Sequence, residues 1–316
     1  MPATDRDPAT DRDPATAPHP GRDRHVSRGG ADPDLYVQIP AYRDLELAPT
    51  LRALYAEANR PSRLRVRIMW QRAEDEVLPD DIRALPGLEI DEVPAAVSEG
   101  CNWARRRLQE AWQGERYTLL LDSHHRFVPG WDDLALTMLE QLRTTGTAKP
   151  LLTGYLPAYD PRSGLLRSSG PRRLYPYARD RGVLTRLNSW AIRDVETLSA
   201  PVPADFASLH FILTDGSFNR EVPFDPAVYF FGDEVLTSVR AFTAGYRLFH
   251  PHRVVGWHAY DRSSRVTHWA DHEGYTERHA RSLRTLRTIY TGMRDISPAA
   301  IAEFESHANI SLVADP

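Results

Sequence analysis

The sequence has a single cysteine, Cys101, a single lysine, Lys149, and no apolar run of the length that crosses a membrane. One cysteine cannot form an internal disulfide, and the N-terminus lacks the apolar segment of a secretory signal. We therefore expect a cytoplasmic protein without a membrane span. The use of Arg in place of Lys, with abundant Ala and Pro, is typical of a GC-rich bacterial gene.

A large excess of charge of either sign is also missing. The chain has 43 acidic and 39 basic residues, a formal net charge of −4, which gives no strong attraction to nucleic acid. Hydrophobic residues make up 41% and charged residues 26% of the 316 residues, as in soluble globular proteins. We expect no nucleic-acid partner.

The chain begins with a hexapeptide repeat, PATDRDPATDRDPATAP, that offers almost nothing to bury. Such a segment gains too little from burial to offset its ordering entropy, so we expect residues 1–33 to be a disordered tail. We expect one catalytic domain over residues 34–295 and a helical extension over residues 296–316, where Ser297 and Pro298 are typical of a helix start.

The middle of the chain alternates strand-like and helix-like patterns. The strand-like segments are LYVQIPAY, with an expected stop at Pro40, then LRVRIMW, LEIDEVP and YTLLLD. Strands that alternate with helices predict an α/β protein with a Rossmann-like, mostly parallel central sheet flanked by helices. From Gly154 to Arg186 the density of Pro, Gly, Ser and Arg predicts long loops without regular elements.

The strand LLL at Leu119 to Leu121 ends in Asp122, Ser123 and His124. Residues two apart in a strand point to the same side, so Asp122 and His124 should converge while Ser123 turns away. Ligands of parallel α/β sheets bind beyond the carboxyl ends of the strands. This pattern predicts a divalent-metal site, with a simple turn or helix cap as the alternative.

A third ligand must come from elsewhere, and His258 in VVGWHAY follows another strand-like run. Imidazole ligands move the choice of ion from Mg²⁺ toward Mn²⁺, so we predict Mn²⁺, with Mg²⁺ as the alternative. Other histidines crowd the same region and leave the choice open: His250, His252, His268 and His272.

Several motifs in order resemble one known family. DSHHRF with the following Trp131 and Asp132, IPAYRD, the Ala104 and Arg105 pair, VPFDP, FFGDE and HAYDR, spread over about Leu35 to Arg262, together resemble the family-60 glycosyltransferases. These are polypeptide N-acetylglucosaminyltransferase-like enzymes with a GT-A fold that binds nucleotide sugars. The D-x-H triplet is also similar to the metal motif of the mucin-type polypeptide GalNAc-transferases. His125 stands where the family pattern has methionine, so its role is a separate question.

The resemblance implies a retaining transferase that moves a sugar, GlcNAc first, from a UDP-sugar to a hydroxyl acceptor on a peptide, a protein or a natural product. A metal ion on Asp122, His124 and His258 would neutralise the diphosphate as it leaves. The resemblance also implies a set of nucleotide-binding residues: Pro40, Ala41, Tyr42, Asp44, Arg105, Asp122 and Ser123. Tyr42 could stack on the base, and Arg105 could reach the nucleotide, although a run of three arginines is also typical of a solvated helix face.

Asp233 and Glu234 open a predicted helix after an apolar run. The helix dipole alone favours acids there, and the resemblance implies that they face the acceptor as the catalytic pair. Two other functions remain open from the sequence: a metal-dependent hydrolase, and a sugar-binding or scaffold protein on a transferase fold.

Overall fold

The computed structural model describes residues 33–167, 170–263 and 265–314. The predicted disordered tail, residues 1–33, lies outside this description except for its last residue. The strands are β1 (Leu35–Tyr42), β2 (Leu64–Arg72), β3 (Leu88–Pro94), β4 (Tyr117–Leu121), β5 (His125–Phe127), β6 (Pro150–Thr153), β7 (Arg172–Asp180), β8 (Leu184–Ala191), β9 (Val202–Ala204), β10 (Phe211–Asp215), β11 (Arg247–His250) and β12 (Gly256–His258). The α-helices are α1 (Leu47–Ala56), α2 (Asp80–Arg83), α3 (Cys101–Glu110), α4 (Trp131–Thr144), α5 (Phe218–Glu221), α6 (Asp233–Thr243), α7 (His268–Asp271), α8 (Tyr275–Tyr290) and α9 (Pro298–Ala308).

The central sheet has eight strands in the order β3-β2-β1-β4-β10-β6-β11-β9. β1 pairs in parallel with β2 and β4, β2 with β3, and β6 with β11, whereas β10 and β9 run antiparallel to their neighbours. Helices cover both faces. The structure therefore confirms the predicted mostly parallel sheet flanked by helices.

The apolar run of β4 explains why this strand is central. Leu119 and Leu121 belong to one buried core cluster, and Leu120 belongs to another. Alternate residues of a strand face opposite sides, so both faces of β4 are buried against apolar layers. The strand can expose polar side chains only where it ends, which is where Asp122 follows.

Pro40 does not stop β1, which continues to Tyr42. The pairing of β1 with β4 ends at Gln38, while the pairing with β2 continues to Tyr42. Parallel strands alternate their hydrogen bonds between the two neighbours. Beyond Gln38 there is no β4 partner, so the missing N–H of Pro40 costs that ladder no bond.

The expectation of long loops from Gly154 to Arg186 was wrong for its second half. β7 and β8 form an antiparallel hairpin with an irregularity between Pro176 and Ala178. Prolines are tolerated at such bulges because no ladder bond is needed there. The proline and arginine content of this segment therefore concealed a hairpin.

Candidate active site

Asp122, Ser123 and His124 lie in the loop that connects β4 to β5, at the carboxyl edge of the sheet. Oδ2 of Asp122 is 3.7 Å from Nε2 of His124. The hydroxyl of Ser123 turns away and donates to the carboxylate of Asp44 (2.6 Å). The convergence expected from the sequence is therefore present.

The pairing of β5 with β12 brings His258 to this loop. His258 lies opposite His125 in the antiparallel register, and the Ala259 N–H donates to the His124 carbonyl (3.1 Å). A Cβ at Gly256 would lie 2.4 Å from the carbonyl oxygen of Arg126, so this close approach requires glycine. As a result, Nε2 of His258 lies 3.5 Å from Oδ2 of Asp122.

The other histidines that the sequence left open have different surroundings. Nδ1 of His250 donates to the Thr153 carbonyl (2.8 Å), and Nε2 accepts from the Leu174 N–H (3.1 Å). His268 and His272 stack on each other with ring centroids 3.9 Å apart. His252 is buried and lies outside the group of potential ligands formed, within the described residues, by Asp122, His124 and His258.

His125 supports the loop from behind. Its Nδ1 donates to the backbone carbonyl of Asp122 (3.0 Å), and its ring is fully buried. Burial, reinforced by the nearby His210, holds the pKa of His125 well below its usual range. A neutral imidazole at this position holds the Asp122 loop by a hydrogen bond that methionine could not make.

Asp44 orients His124 from behind. Its Oδ2 lies 2.7 Å from Nδ1 of His124, and the Asp44 side chain is only 1% exposed. Although burial acts to raise it, the pKa of Asp44 is lowered by His124 and Ser123. An ionised carboxylate only accepts hydrogen bonds, so Nδ1 of His124 carries the proton and Nε2 keeps its lone pair. The Asp44 carboxylate therefore positions His124 and Ser123, and its contact with a nucleotide stays a prediction.

The three side chains fit a divalent cation. Donor atoms of Asp122, His124 and His258 lie within 4.8 Å of one another. Within the described part of the chain, the Nε2 atoms of both histidines are buried and have no hydrogen-bond partner, which is costly unless something occupies the site. Burial acts to raise the pKa of Asp122, but His258, His124 and Arg105 hold it well below its usual range, so the carboxylate is ionised. One carboxylate and two imidazole nitrogens form a donor set suited to Mn²⁺ and later divalent ions.

Arg105 does not lie on a solvated helix face. Its side chain is 7% exposed, and its guanidinium contacts Asp233 (2.8 Å) and Asp122 (3.4 Å). The neighbour Arg106 instead pairs with Glu110 near the surface. Arg105 therefore connects the potential metal ligand to the predicted catalytic pair, which is a different contact from the one expected with the nucleotide.

Glu234 is held by donors at the start of α6. The Tyr155 hydroxyl donates to Oε2 (3.0 Å), and the Leu209 N–H donates to Oε1 (3.3 Å). Burial, with the adjacent Asp233, raises the pKa of Glu234 to about 7. Burial likewise raises the pKa of Asp233. A carboxyl that titrates near neutrality can both donate to and accept from a hydroxyl.

The raised pKa predicts a pH-dependent stability. The unfolded state loses the Glu234 proton near the ordinary glutamate pKa of 4.5 and the folded state only near 7, so stability falls as pH rises between these values. Glu234→Gln removes this loss. In metal-free protein, the Tm of the variant minus the Tm of the wild type should therefore be a few degrees larger at about pH 8 than at about pH 4.5. The titratable and charged groups that face Glu234 are Tyr155, Asp233, Arg105 and Tyr260. The exposed Glu110→Gln should show no such difference; an equal Tm difference at both pH values for Glu234→Gln would contradict the prediction.

Two cavities meet at the three potential metal ligands Asp122, His124 and His258, which together form the Asp122 group. The first, of about 210 Å³, lies over the ends of β1 and β4 and beside α7, and the second, of about 330 Å³, lies between α6 and the β7–β8 hairpin. Their common walls are formed by Asp122, Phe230, His258, Tyr260 and Arg262. A ligand in each cavity would therefore meet at Asp122 and His258.

The predicted residues divide between these cavities. Those that line the first are Pro40, Tyr42, Asp44, Asp122, Ser123, His124 and His258. Those that line the second are Arg105, Asp122, Asp233, Glu234 and His258. Ala41 lies in the hydrophobic core, so of this residue only the backbone could approach a ligand.

Sequence reasoning missed part of the wall of the first cavity. Arg262, His268 and Trp269 line it, and the Tyr42 ring lies 4.7 Å from that of His268. The Tyr42 hydroxyl donates to Asp271. The density of aromatic and histidine residues between residues 257 and 272 could have indicated a binding surface, whereas only its histidines were considered, as possible metal ligands.

Several solved structures have a similar fold. Staphylococcus aureus TarS 1-349 in complex with UDP-GlcNAc superimposes with a TM-score of 0.54 and 14% identity over 87% of this chain and 71% of that one. GalNAc-T7 with UDP, GalNAc and Mn²⁺ has a TM-score of 0.58 and 14% identity over 88% of this chain and 54% of that one. The mannosyltransferase PcManGT from Pyrobaculum calidifontis in complex with GDP-Man and Mn²⁺ has a TM-score of 0.50 and 16% identity over 89% of this chain and 70% of that one. These likenesses identify the fold as GT-A.

Three further findings bear on identity. Among the described residues, no helix combines the length and the apolar character needed to span a membrane. No curated protein sequence matches the chain. The model of one protein family, described as Glycosyltransferase (GlcNAc), matches residues 34–85 and 79–309. This match covers both cavities and the Asp122 group, and the chain therefore belongs to the Glycosyltransferase (GlcNAc) family.

Proposed function

We propose that the protein transfers a sugar, GlcNAc first, from a UDP-sugar to a hydroxyl group of a polypeptide with retention of configuration, as the resemblance to the family-60 enzymes implies. One observation carries the proposal: Asp122 and His258 lie on the common wall of two cavities, where a donor in one would meet an acceptor in the other. The family match and the GT-A fold support a glycosyltransferase.

Asp122, His124 and His258 would hold Mn²⁺, and Mg²⁺ is the alternative ion. When bound, such an ion neutralises charge on the diphosphate of a leaving UDP. Two of the similar structures contain Mn²⁺ together with a nucleotide or nucleotide sugar, which supports this choice.

The first cavity is the proposed donor site. Tyr42 and Trp269 provide rings on which a base could stack, and Arg262 provides a positive charge on the wall shared with the second cavity. TarS in complex with UDP-GlcNAc and GalNAc-T7 with UDP support a uridine nucleotide.

The second cavity is the proposed acceptor site. Glu234, with its pKa near 7, would orient the acceptor hydroxyl, and Tyr155 fixes its carboxylate. Asp233 is held by Arg105 and would support the same region without itself moving a proton. With retention, the leaving diphosphate would take the proton of the acceptor hydroxyl.

The test is release of UDP or GDP from UDP-GlcNAc, UDP-GalNAc, UDP-glucose and GDP-mannose, each with Mn²⁺, Mg²⁺ or a chelator. We expect slow metal-dependent release from one UDP-sugar and a loss of about 100-fold or more for Asp122→Ala. Asp81→Ala is the matched control, because Asp81 is 61% exposed and pairs with Arg52 on the surface.

Donor binding separates the alternatives. A bound UDP-sugar with Mn²⁺ should raise the Tm of a transferase even when no acceptor is present. The absence of both UDP release and binding for every donor would reject the proposal and favour a hydrolase or a scaffold.

Asp44→Asn should weaken the metal site without removing a ligand. The carboxylate that fixes the His124 tautomer is lost, and such changes reduce metal affinity by about 10- to 100-fold. The Mn²⁺ concentration for half-maximal UDP release should rise by this factor, with much of the rate regained at high Mn²⁺. Asp34→Asn is the control, because Asp34 directly precedes the first residue of β1, at the end of the strand away from the site. An unchanged Mn²⁺ dependence for Asp44→Asn would refute the positioning role of Asp44.

A further inference from the structure

The β7–β8 hairpin carries an excess of positive charge. Residues 172–191 contain five arginines and one acid, in a chain whose formal net charge is −4. Arg173 and Arg181 are exposed, and Arg186 pairs with the single acid, Asp180 (2.9 Å). This surface favours an acidic ligand.

The same hairpin exposes aromatic rings. Tyr177 is 57% and Trp190 is 51% exposed, and Trp190 stacks on Tyr175 with ring centroids 4.1 Å apart. Exposed aromatic side chains beside basic ones are typical of binding surfaces and suit the ring of proline.

The hairpin continues into the second cavity. Tyr177, Leu184, Thr185 and Arg186 line that cavity together with Glu234. A polypeptide that crosses the hairpin would therefore pass the proposed acceptor position.

The N-terminal repeat has the matching chemistry. Residues 2–16 read PATDRDPATDRDPAT, with four aspartates against two arginines, and present Thr4, Thr10 and Thr16 at a regular spacing of six. Each threonine follows Pro-Ala. The one other hydroxyl side chain among residues 1–33 is Ser27.

The repeat is long enough to reach the second cavity. Pro33 precedes β1, whose eight residues extend about 26 Å to the edge of the sheet that holds the site. Thr16 lies 17 residues before Pro33, a length that can span up to roughly 56–61 Å. All three threonines are therefore within the reach set by chain length.

We infer that the hairpin is a docking surface for an acidic, proline- and threonine-bearing polypeptide, and that the chain's own repeat, residues 2–16, is an acceptor. The inference rests on the proposed function. The bond between the anomeric carbon and the β-phosphate oxygen breaks, a bond from that carbon to Oγ of threonine forms, and the hydroxyl proton leaves with the released UDP.

The experiment is intact-mass analysis of the full chain before and after incubation with Mn²⁺ and the UDP-sugar found to be turned over, with UDP release measured in parallel. We expect one to three sugar residues per chain, located by peptide fragmentation at Thr4, Thr10 or Thr16. A variant with all three threonines changed to Val should gain none, whereas Ser27→Ala should behave as the wild type. Both variants should keep the basal release of UDP.

A second set of variants tests the docking surface. Arg173→Glu combined with Arg181→Glu should slow sugar incorporation by about tenfold while UDP hydrolysis is unchanged. Arg52→Glu is the control, because Arg52 is 49% exposed on α1 and does not belong to the hairpin.

The outcomes separate the inference from the proposed function. UDP release without added mass on residues 2–16, or equal mass gain by the triple Val variant, overturns the inference and leaves the transferase standing. The absence of both UDP release and donor binding rejects the proposed function and the inference with it. Incorporation unaffected by the arginine changes overturns the docking surface.

Discussion

His258→Ala is expected to reduce metal-dependent UDP release by about 100-fold or more. The substitution removes one of three donor atoms from a site that the β5–β12 pairing assembles, while the backbone of that pairing is retained. The remaining pair, Asp122 and His124, would offer the proposed ion too few protein ligands to compete with water. The measurement is the initial rate of UDP release across a series of Mn²⁺ concentrations, together with the Tm of each variant.

His252→Ala is the matched control, because His252 is also buried and lies close to His258 in the chain but outside the Asp122 group. We expect it to keep its Mn²⁺ dependence even if its Tm falls. The opposite pattern, with His252→Ala inactive and His258→Ala active, would show that the ligand set is wrong.

Arg105→Met is expected to destabilise the metal-free protein by about 3–5 kcal/mol. The methionine fills the space of the side chain, but the carboxylates of Asp122 and Asp233 then lose the charge that compensates their burial. The unfolding midpoint should fall by roughly 10 °C, as measured by thermal unfolding in a chelator.

Arg106→Met on the same helix is the control. Arg106 pairs with Glu110 at the surface, with side chains 37% and 57% exposed, and such pairs contribute about 0.3–0.5 kcal/mol. Equal midpoints for the two variants would contradict the view that Arg105 compensates two partly buried carboxylates.

Local patterns were enough to predict the architecture. The apolar run of β4 and the alternation of strands and helices predicted a mostly parallel sheet, and the first strand, LYVQIPAY, is observed as β1 over Leu35–Tyr42. The pattern failed at Pro40 and at the β7–β8 hairpin, because the effect of a proline depends on whether a partner strand lies beside it. That information belongs to the sheet and not to the segment.

The site was predictable only in part. The period of two along a strand end predicted that Asp122 and His124 converge, and the strand-like pattern before His258 favoured this histidine but left the choice of third residue open. The side-chain contacts of Asp44 and Arg105 were not predictable. Asp44 lies behind His124, and Arg105 pairs with Asp122 and Asp233. Their contacts with a nucleotide stay predictions.

The sequence by itself identified the segments of β1 to β4 and the strand end that carries Asp122 and His124, because apolar periodicity and residue type are local properties. Only the tertiary structure decided that His258, rather than His252, reaches Asp122, that Arg105 is buried between two carboxylates, and that the hairpin lines the second cavity. These outcomes depend on strand register and on which groups lose water when distant segments pack. Neither the register nor this loss of water is encoded by any one segment alone.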